Sequence, residues 1–339
     1  MSNDELAALA DTALEGLDLS DTITDRRVAR SLLREALGLL ADGPHALDLK
    51  IATNALAEMR DAYEMFAPFR DRRKVTIFGS ARTGPDDPVY RQTVRVAAEL
   101  AARGWMVVTG AGPGIMQAGM EGAGREASIG VSIRLPFETG ANPVIAGDAK
   151  YVSMKYFFTR KLMLIKESAA FVCLPGGFGT LDETFELLTL TQTGKGVPVP
   201  IVLLDTPDDP YWEAVDNFVR EHLVARGMVS ADDVDLYRIR HDADGVAEEI
   251  EGFYRNYDSI RFVGDRLIIR LREIPVPSEL EALRSEFADL SRGGSISETP
   301  PTAAEVADDD RLDLPRLAVD YDPRHAAGLR RLIDRLNDR

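Results

Sequence analysis

Between Lys74 and Leu204, short apolar runs alternate with helix-length stretches, and this alternation restricts the fold more than any other property of the chain. Runs at 74–78, 105–109, 130–135, 169–174 and 200–204 have the length and bulk of buried strands. Helical stretches cover 89–103, 115–128, 154–167 and 181–191 between them. The rhythm predicts a doubly wound, Rossmann-like parallel sheet of α/β class with helices on both faces. In such sheets ligands sit beyond the carboxyl ends of the strands, where the chain turns into helices.

Three of those turns are rich in glycine. They are Gly79-Ser80-Ala81-Arg82, Thr109-Gly110-Ala111-Gly112-Pro113-Gly114 and Pro175-Gly176-Gly177-Phe178-Gly179-Thr180. Glycine lets backbone N–H groups approach a ligand closely, and each turn feeds a helix whose N-terminus favours an anion. One such turn is weak evidence, because tight turns need glycine for steric reasons alone. Three at one sheet edge point to a phosphate-bearing ligand. No GxxxxGK[ST] run is present, which argues against P-loop ATP hydrolysis, and the second turn does not fit GxGxxG spacing.

Outside this region, residues 1–70 read as a helical segment. Val28, Leu32, Leu33 and Leu37 form one apolar stripe, and Leu49, Ala52, Leu56, Met59, Tyr63 and Phe66 form another. Residues 71–258 form the expected nucleotide-binding domain. Residues 259–339 form a small α+β module, read as a strand at 261–271, a helix at 277–291, a strand near 295–298, another at 317–321 and a helix at 325–337. That order suggests a ferredoxin-like arrangement, with a mobile polar linker at 299–313.

The charge balance argues against a general nucleic-acid binder: 40 Lys and Arg face 56 Asp and Glu, a formal net charge of −16. A small anion is still admitted, because local backbone donors bind phosphate inside an acidic protein. The single cysteine, Cys173, rules out an intrachain disulfide and a cysteine-based zinc cage. No apolar run approaches the ~20 residues of a membrane span, and the acidic N-terminal stretch does not read as a secretory signal. A cytoplasmic location is the default expectation.

The run PGGFGTLDE at Pro175–Glu183 matches the PGGxGTxxE signature of the Lonely Guy family, long misannotated as lysine decarboxylases. Thr159-Arg160-Lys161-Leu162-Met163 resembles that family's second signature, and the runs VVTGAGPGIMQAGMEGA and GVSIRLPFETGAN are similar to its longer bacterial members. The resemblance implies a phosphoribohydrolase. Such an enzyme cleaves the N-glycosidic bond of AMP or of an N6-substituted cytokinin riboside monophosphate to free base and ribose 5-phosphate. It implies a homodimer or larger homo-oligomer. The sequence shows no clustered metal-ligand set, so neither a metal nor a cofactor is expected. By the same resemblance, Arg160 and Glu183 are the catalytic pair. Gly176, Gly177, Gly179 and Thr180 hold the 5′-phosphate, Lys161 neighbours phosphate or carboxylate, and Ser80 with Gly110, Gly112 and Gly114 completes the pocket. Related folds carrying PGGxGT also include non-catalytic nucleotide- and molybdenum-cofactor-binding proteins. A carrier needs the loop but not the acid–base pair.

Each feature has a plainer reading. Thr180-x-x-Glu183 is also the capping-box pattern, in which the glutamate folds back onto a backbone N–H. Arg160 and Lys161 could be a solvated basic face, but Tyr156, Phe157, Leu162, Met163 and Ile165 make that helix apolar around them, which favours a cleft. Asp182 reads as surface charge, and Glu186 is a weaker second candidate. Cys173 reads as a small core residue. His45, His222, His241 and His325 lie outside every motif and have no evident partner in the sequence. Ala111 stands where long relatives often carry glycine, so its methyl group is expected beside the nucleotide.

Overall fold

The computed structural model describes residues 1–16, 25–136 and 140–338. Phe137, Glu138 and Thr139 of the GVSIRLPFETGAN run lie outside them. The chain divides into two compact units, 1–60 and 61–339. The first is helical: α1 (Asn3–Gly16), α2 (Arg26–Ala41) and most of α3 (Ala46–Phe66). Asp25 caps α2 by accepting the Arg27 and Val28 N–H groups. Asp11 on α1 pairs with Arg30 on α2 at 2.6 Å. The expected stripes are only partly covered, since Val28, Leu32, Leu56 and Tyr63 remain exposed.

The second unit holds the expected doubly wound sheet. In chain order its elements are β1 (Lys74–Phe78), α4 (Pro88–Ala102), β2 (Met106–Thr109), α5 (Ile115–Ala127), β3 (Ser128–Ile133), β4 (Tyr151–Met154) and α6 (Phe157–Lys166). There follow β5 (Ala170–Cys173), α7 (Phe178–Gln192), β6 (Ile201–Leu204), α8 (Tyr211–Phe218), β7 (Arg238–Arg240) and α9 (Ala243–Phe253). The sheet order is β4-β3-β2-β1-β5-β6-β7, and every pairing is parallel. β1, β2, β5 and β6 are buried along their whole length, which is why they read as continuous apolar runs.

Two strands are additions to the sequence reading. β4 (YVSM) and β7 (RIR) close the two edges, are short, and are mostly half-buried. Such short edge strands carry little hydrophobic signal, and their shortness discourages further strand pairing.

The chain works outward from β1 through β2, β3 and β4, then returns to place β5 on the other side of β1. The loops after β1 and β5 therefore diverge at the switch point, the place where doubly wound sheets open a crevice.

Residues beyond α9 form a second sheet from β8 (Tyr257–Val263), β9 (Arg266–Leu271), β10 (Ser291–Glu298) and β11 (Arg316–Tyr321). It is antiparallel, in the order β10-β11-β9-β8. Helices α10 (Pro277–Glu286), α11 (Ala303–Ala307) and α12 (Ala326–Asn337) accompany it. This corrects the sequence reading in two respects. The stretch expected as one strand at 261–271 is part of a hairpin turning at Gly264-Asp265, with Gly264 at φ +60. The ferredoxin-like order is accordingly not the one found.

The stretch 299–313 is no bare linker. It carries α11, and the fully buried Glu305 accepts hydrogen bonds from Arg270 and Arg316 at 2.8 and 2.7 Å. One apolar cluster runs from Val75 and Val172 through Val246 and Phe253 to Leu267, Leu317 and Leu332, so the parallel sheet and the C-terminal sheet share a core.

Candidate functional site

The three glycine-rich turns meet in a cleft of about 800 Å³ at the switch point. Backbone hydrogen bonds tie them together. The Ser80 N–H donates to the Pro175 carbonyl at 3.1 Å, and the Ile115 N–H donates to the Ser80 carbonyl at 3.0 Å. Gly114 has φ +67, and a Cβ there would strike the Ser80 carbonyl, so only glycine allows the first two turns to touch. At Gly176 a Cβ would collide with the Thr180 side chain.

α7 starts at Phe178 with Gly177 as its N-cap and no side-chain cap, so its first-turn N–H groups have no intrahelical partner. Thr180 is nearly buried just inside it. This is the anion-receptive end of a helix placed at a crevice.

Arg160 and Glu183 come together in the same cleft. Arg160, on α6, is nearly buried. Its Nη1 donates to Glu183 Oε1 at 3.0 Å, and its Nε donates to the Val131 carbonyl of β3 at 3.1 Å. A Cβ at Gly110 would occupy the place of the Arg160 guanidinium. Burial pushes the Glu183 carboxyl above its ordinary range, with Arg160 and Lys161 pulling in the opposite direction.

The capping-box reading of Glu183 does not hold. The helix begins two residues before Thr180, and the carboxylate faces Arg160 across 3.0 Å. Ser80, Gly110, Gly112, Gly176, Gly177, Gly179 and Thr180 all line the cleft with the pair.

Lys161 does not join them. Its Nζ lies 2.6 Å from both Asp182 and Glu186, in a neighbouring groove between α6 and α7. Despite its burial, the two carboxylates hold its pKa above the ordinary value. Gly114 acts behind the lining, as the contact point with Ser80. The Ala111 methyl is likewise not beside the cleft's ligand space. It is buried with Met120 and Ile145, at a φ of +58. Cys173 is a buried thiol whose pKa burial pushes up to about 12, in keeping with a core role.

Several further residues line the cleft beyond the glycine-rich turns and the pair. Met116, Ile133, Leu135 and Phe157 give it an apolar wall, and Phe178 is 94% exposed at its rim. Tyr211 reaches it from 35 positions beyond Gly176, whose carbonyl accepts the phenol O–H at 2.7 Å.

His241 also has partners after all. Its Nδ1 lies 2.7 Å from the fully buried Asp205, and its Nε2 lies 3.3 Å from Glu213. The three ligand atoms fall within 4.8 Å of one another, the spacing of a potential metal set. The ring, however, turns a different nitrogen to each carboxylate, as in a hydrogen-bonded chain. Among the described residues no helix is long and apolar enough to cross a membrane.

Fold and cleft define a parallel α/β protein with an anion-receptive site at its switch point and a buried arginine–glutamate pair beside it. Residues 112–250, which include both signatures, match a family model described as "Possible lysine decarboxylase". The cytokinin riboside 5′-monophosphate phosphoribohydrolase LOG of Oryza sativa subsp. japonica is 30% identical over 160 residues, covering 45% of this chain and 64% of that protein. The chain thus spans a little under two thirds of that relative's length. The corresponding LOG3 protein of Arabidopsis thaliana is 27% identical over 162 residues, covering 47% of this chain and 72% of that protein. These matches show the resemblance to the Lonely Guy family, at modest identity. A solved structure of the molybdenum cofactor carrier protein from Chlamydomonas reinhardtii aligns with 53% of this chain and 96% of its own, at 20% identity and a TM-score of 0.38.

Proposed function

We propose that the protein hydrolyses the N-glycosidic bond of a nucleoside 5′-monophosphate, AMP or an N6-substituted cytokinin form, to free base and ribose 5-phosphate. The observation that carries this reading is the buried Arg160–Glu183 pair in the cleft that also holds the uncapped start of α7.

Each part has a task. The N–H groups of the PGGFGT run and Thr180 hold the 5′-phosphate, which places the sugar over Glu183. C1′ gains positive charge as its bond to the base nitrogen lengthens, and the Glu183 carboxylate opposes that charge. Water supplies the oxygen that bonds to C1′, and its proton balances the departing base. Arg160 counters the effect of burial on the Glu183 carboxyl and fixes its orientation. Met116, Ile133, Leu135 and Phe157 offer an apolar surface for the base. A carrier would need the loop but not an arginine–glutamate pair beside it.

Phe157, Phe158 and Leu162 stand exposed along the groove between α6 and α7. A second copy of the chain is the proposed occupant, as expected of a homodimer. Chromatography after incubation with a panel of nucleoside 5′-monophosphates tests the activity. Base and ribose 5-phosphate should appear in equal amounts, without added metal or cofactor, and adenosine should be a far poorer substrate than AMP. Intact nucleotides throughout the panel would end the reading.

A further inference from the structure

Tyr211 lies outside both signatures, yet its side chain reaches the edge of the cleft and holds the phosphate loop there. Two consecutive carbonyls of that loop are engaged: Pro175 O accepts the Ser80 N–H at 3.1 Å, and Gly176 O accepts the Tyr211 O–H at 2.7 Å. The chain has no cis peptide bond among its described residues. In a planar trans peptide the carbonyl and the following N–H point in opposite directions. Fixing the Gly176 carbonyl on Tyr211 therefore fixes the Gly177 N–H on the far side of that peptide.

Gly177 is the uncapped N-cap of α7, and nothing lies within 4 Å of where its Cβ would be. Two successive glycines with open space around the second offer little resistance to rotation of the peptide plane between them.

Tyr211 is itself firmly mounted. Its N–H donates to Asp209 at 3.1 Å, and the next N–H, that of Trp212, donates to the buried Asp205 at 3.1 Å. Trp212 is fully buried and sends its indole N–H to the Leu204 carbonyl at 3.3 Å. The Trp212 ring meets Tyr211 edge-on, with centroids 4.9 Å apart and planes at 89°. Burial also pushes the phenol pKa up, which keeps the hydroxyl a donor.

We propose that Tyr211 is a positioning residue: through the Gly176 carbonyl it holds the Gly176–Gly177 peptide in the one orientation that presents its N–H to a bound phosphate. The assignment rests on the reading of this loop as the 5′-phosphate site.

Titration calorimetry with ribose 5-phosphate, alongside AMP kinetics and thermal unfolding, tests it on Tyr211→Phe. That substitution removes one oxygen and keeps the ring. Loss of one hydrogen bond should raise the ribose 5-phosphate Kd and the AMP KM about 5–10-fold, with kcat within about twofold of wild type. Asp209→Ala, which loosens the start of α8 without touching the cleft, should shift both in the same direction by less.

A lowered Tm with unchanged Kd and KM in Tyr211→Phe would make the contact merely structural and overturn the inference alone. A wild-type protein that binds no ribose 5-phosphate would remove the phosphate reading and this inference with it.

Discussion

Arg160 Nη1 and Glu183 Oε1 lie 3.0 Å apart although 23 positions separate them in the chain, one on α6 and the other on α7. Their meeting depends on a missing side chain: Gly110, at the end of β2, leaves the volume that the Arg160 guanidinium fills. The pair is nearly enclosed, so each group relies on the other for its charge balance.

That dependence separates two glycine substitutions of similar chemistry. Gly110→Ala should displace Arg160 and lower kcat, because a misplaced group costs transition-state stabilisation. Gly176→Ala should push against Thr180 and disturb the phosphate loop, so KM should rise instead. Steady-state kinetics on both, with thermal unfolding as a control for folding, checks the split. Matching changes in kcat and KM would mean that loop and pair are not separable.

The pH profile follows from the Glu183 environment. Its proposed role requires the ionised carboxylate, so activity should rise as pH passes upward through its pKa. Burial raises that pKa above the ordinary glutamate value. The acid limb of kcat/KM should accordingly centre above about 4.3 and should vanish in Glu183→Gln. A decline with increasing pH from the same group would assign it the role of a protonated acid.

The C-terminal sheet has its own electrostatic anchor. Burial alone would raise the Glu305 pKa, but the Thr302 N–H, Arg270, the Thr302 hydroxyl and Arg316 outweigh it and hold the carboxyl at about 2. A depressed carboxylate stabilises the fold fully above its ordinary value of about 4.3, and the contribution fades as pH falls toward the folded value. Glu305→Ala leaves two buried arginines without their shared partner and should cost about 3–5 kcal/mol in denaturant unfolding at pH 7. The difference from wild type should shrink below pH 4. A loss under about 1 kcal/mol would mean that the network behaves as a surface one.

What could be read from the sequence follows what each element buries. β1, β2, β5 and β6 are covered on both faces and announce themselves as apolar runs, and the PGGFGT loop carries its own glycines. β7 could not be read that way, because an edge strand of Arg238, Ile239 and Arg240 has no apolar pattern. The hairpin at Gly264 was hidden by apolar residues on both sides of a two-residue turn. In the cleft, Arg160 and Glu183 were legible by resemblance. Lys161 sits beside the carboxylates of Asp182 and Glu186 and not in the cleft, because adjacent helical residues point about 100° apart. Tyr211 and His241 act through long-range contacts that no local spacing encodes.

The most direct test of the account is the kcat of Glu183→Gln on the best monophosphate substrate. The substitution keeps size and hydrogen-bonding capacity but removes the charge that faces Arg160. If the pair acts on the transition state, kcat should fall about 10²–10⁴-fold, with KM moved by less than about threefold. A Glu183→Gln protein with near-normal kcat would contradict the catalytic assignment and leave the pair a structural contact.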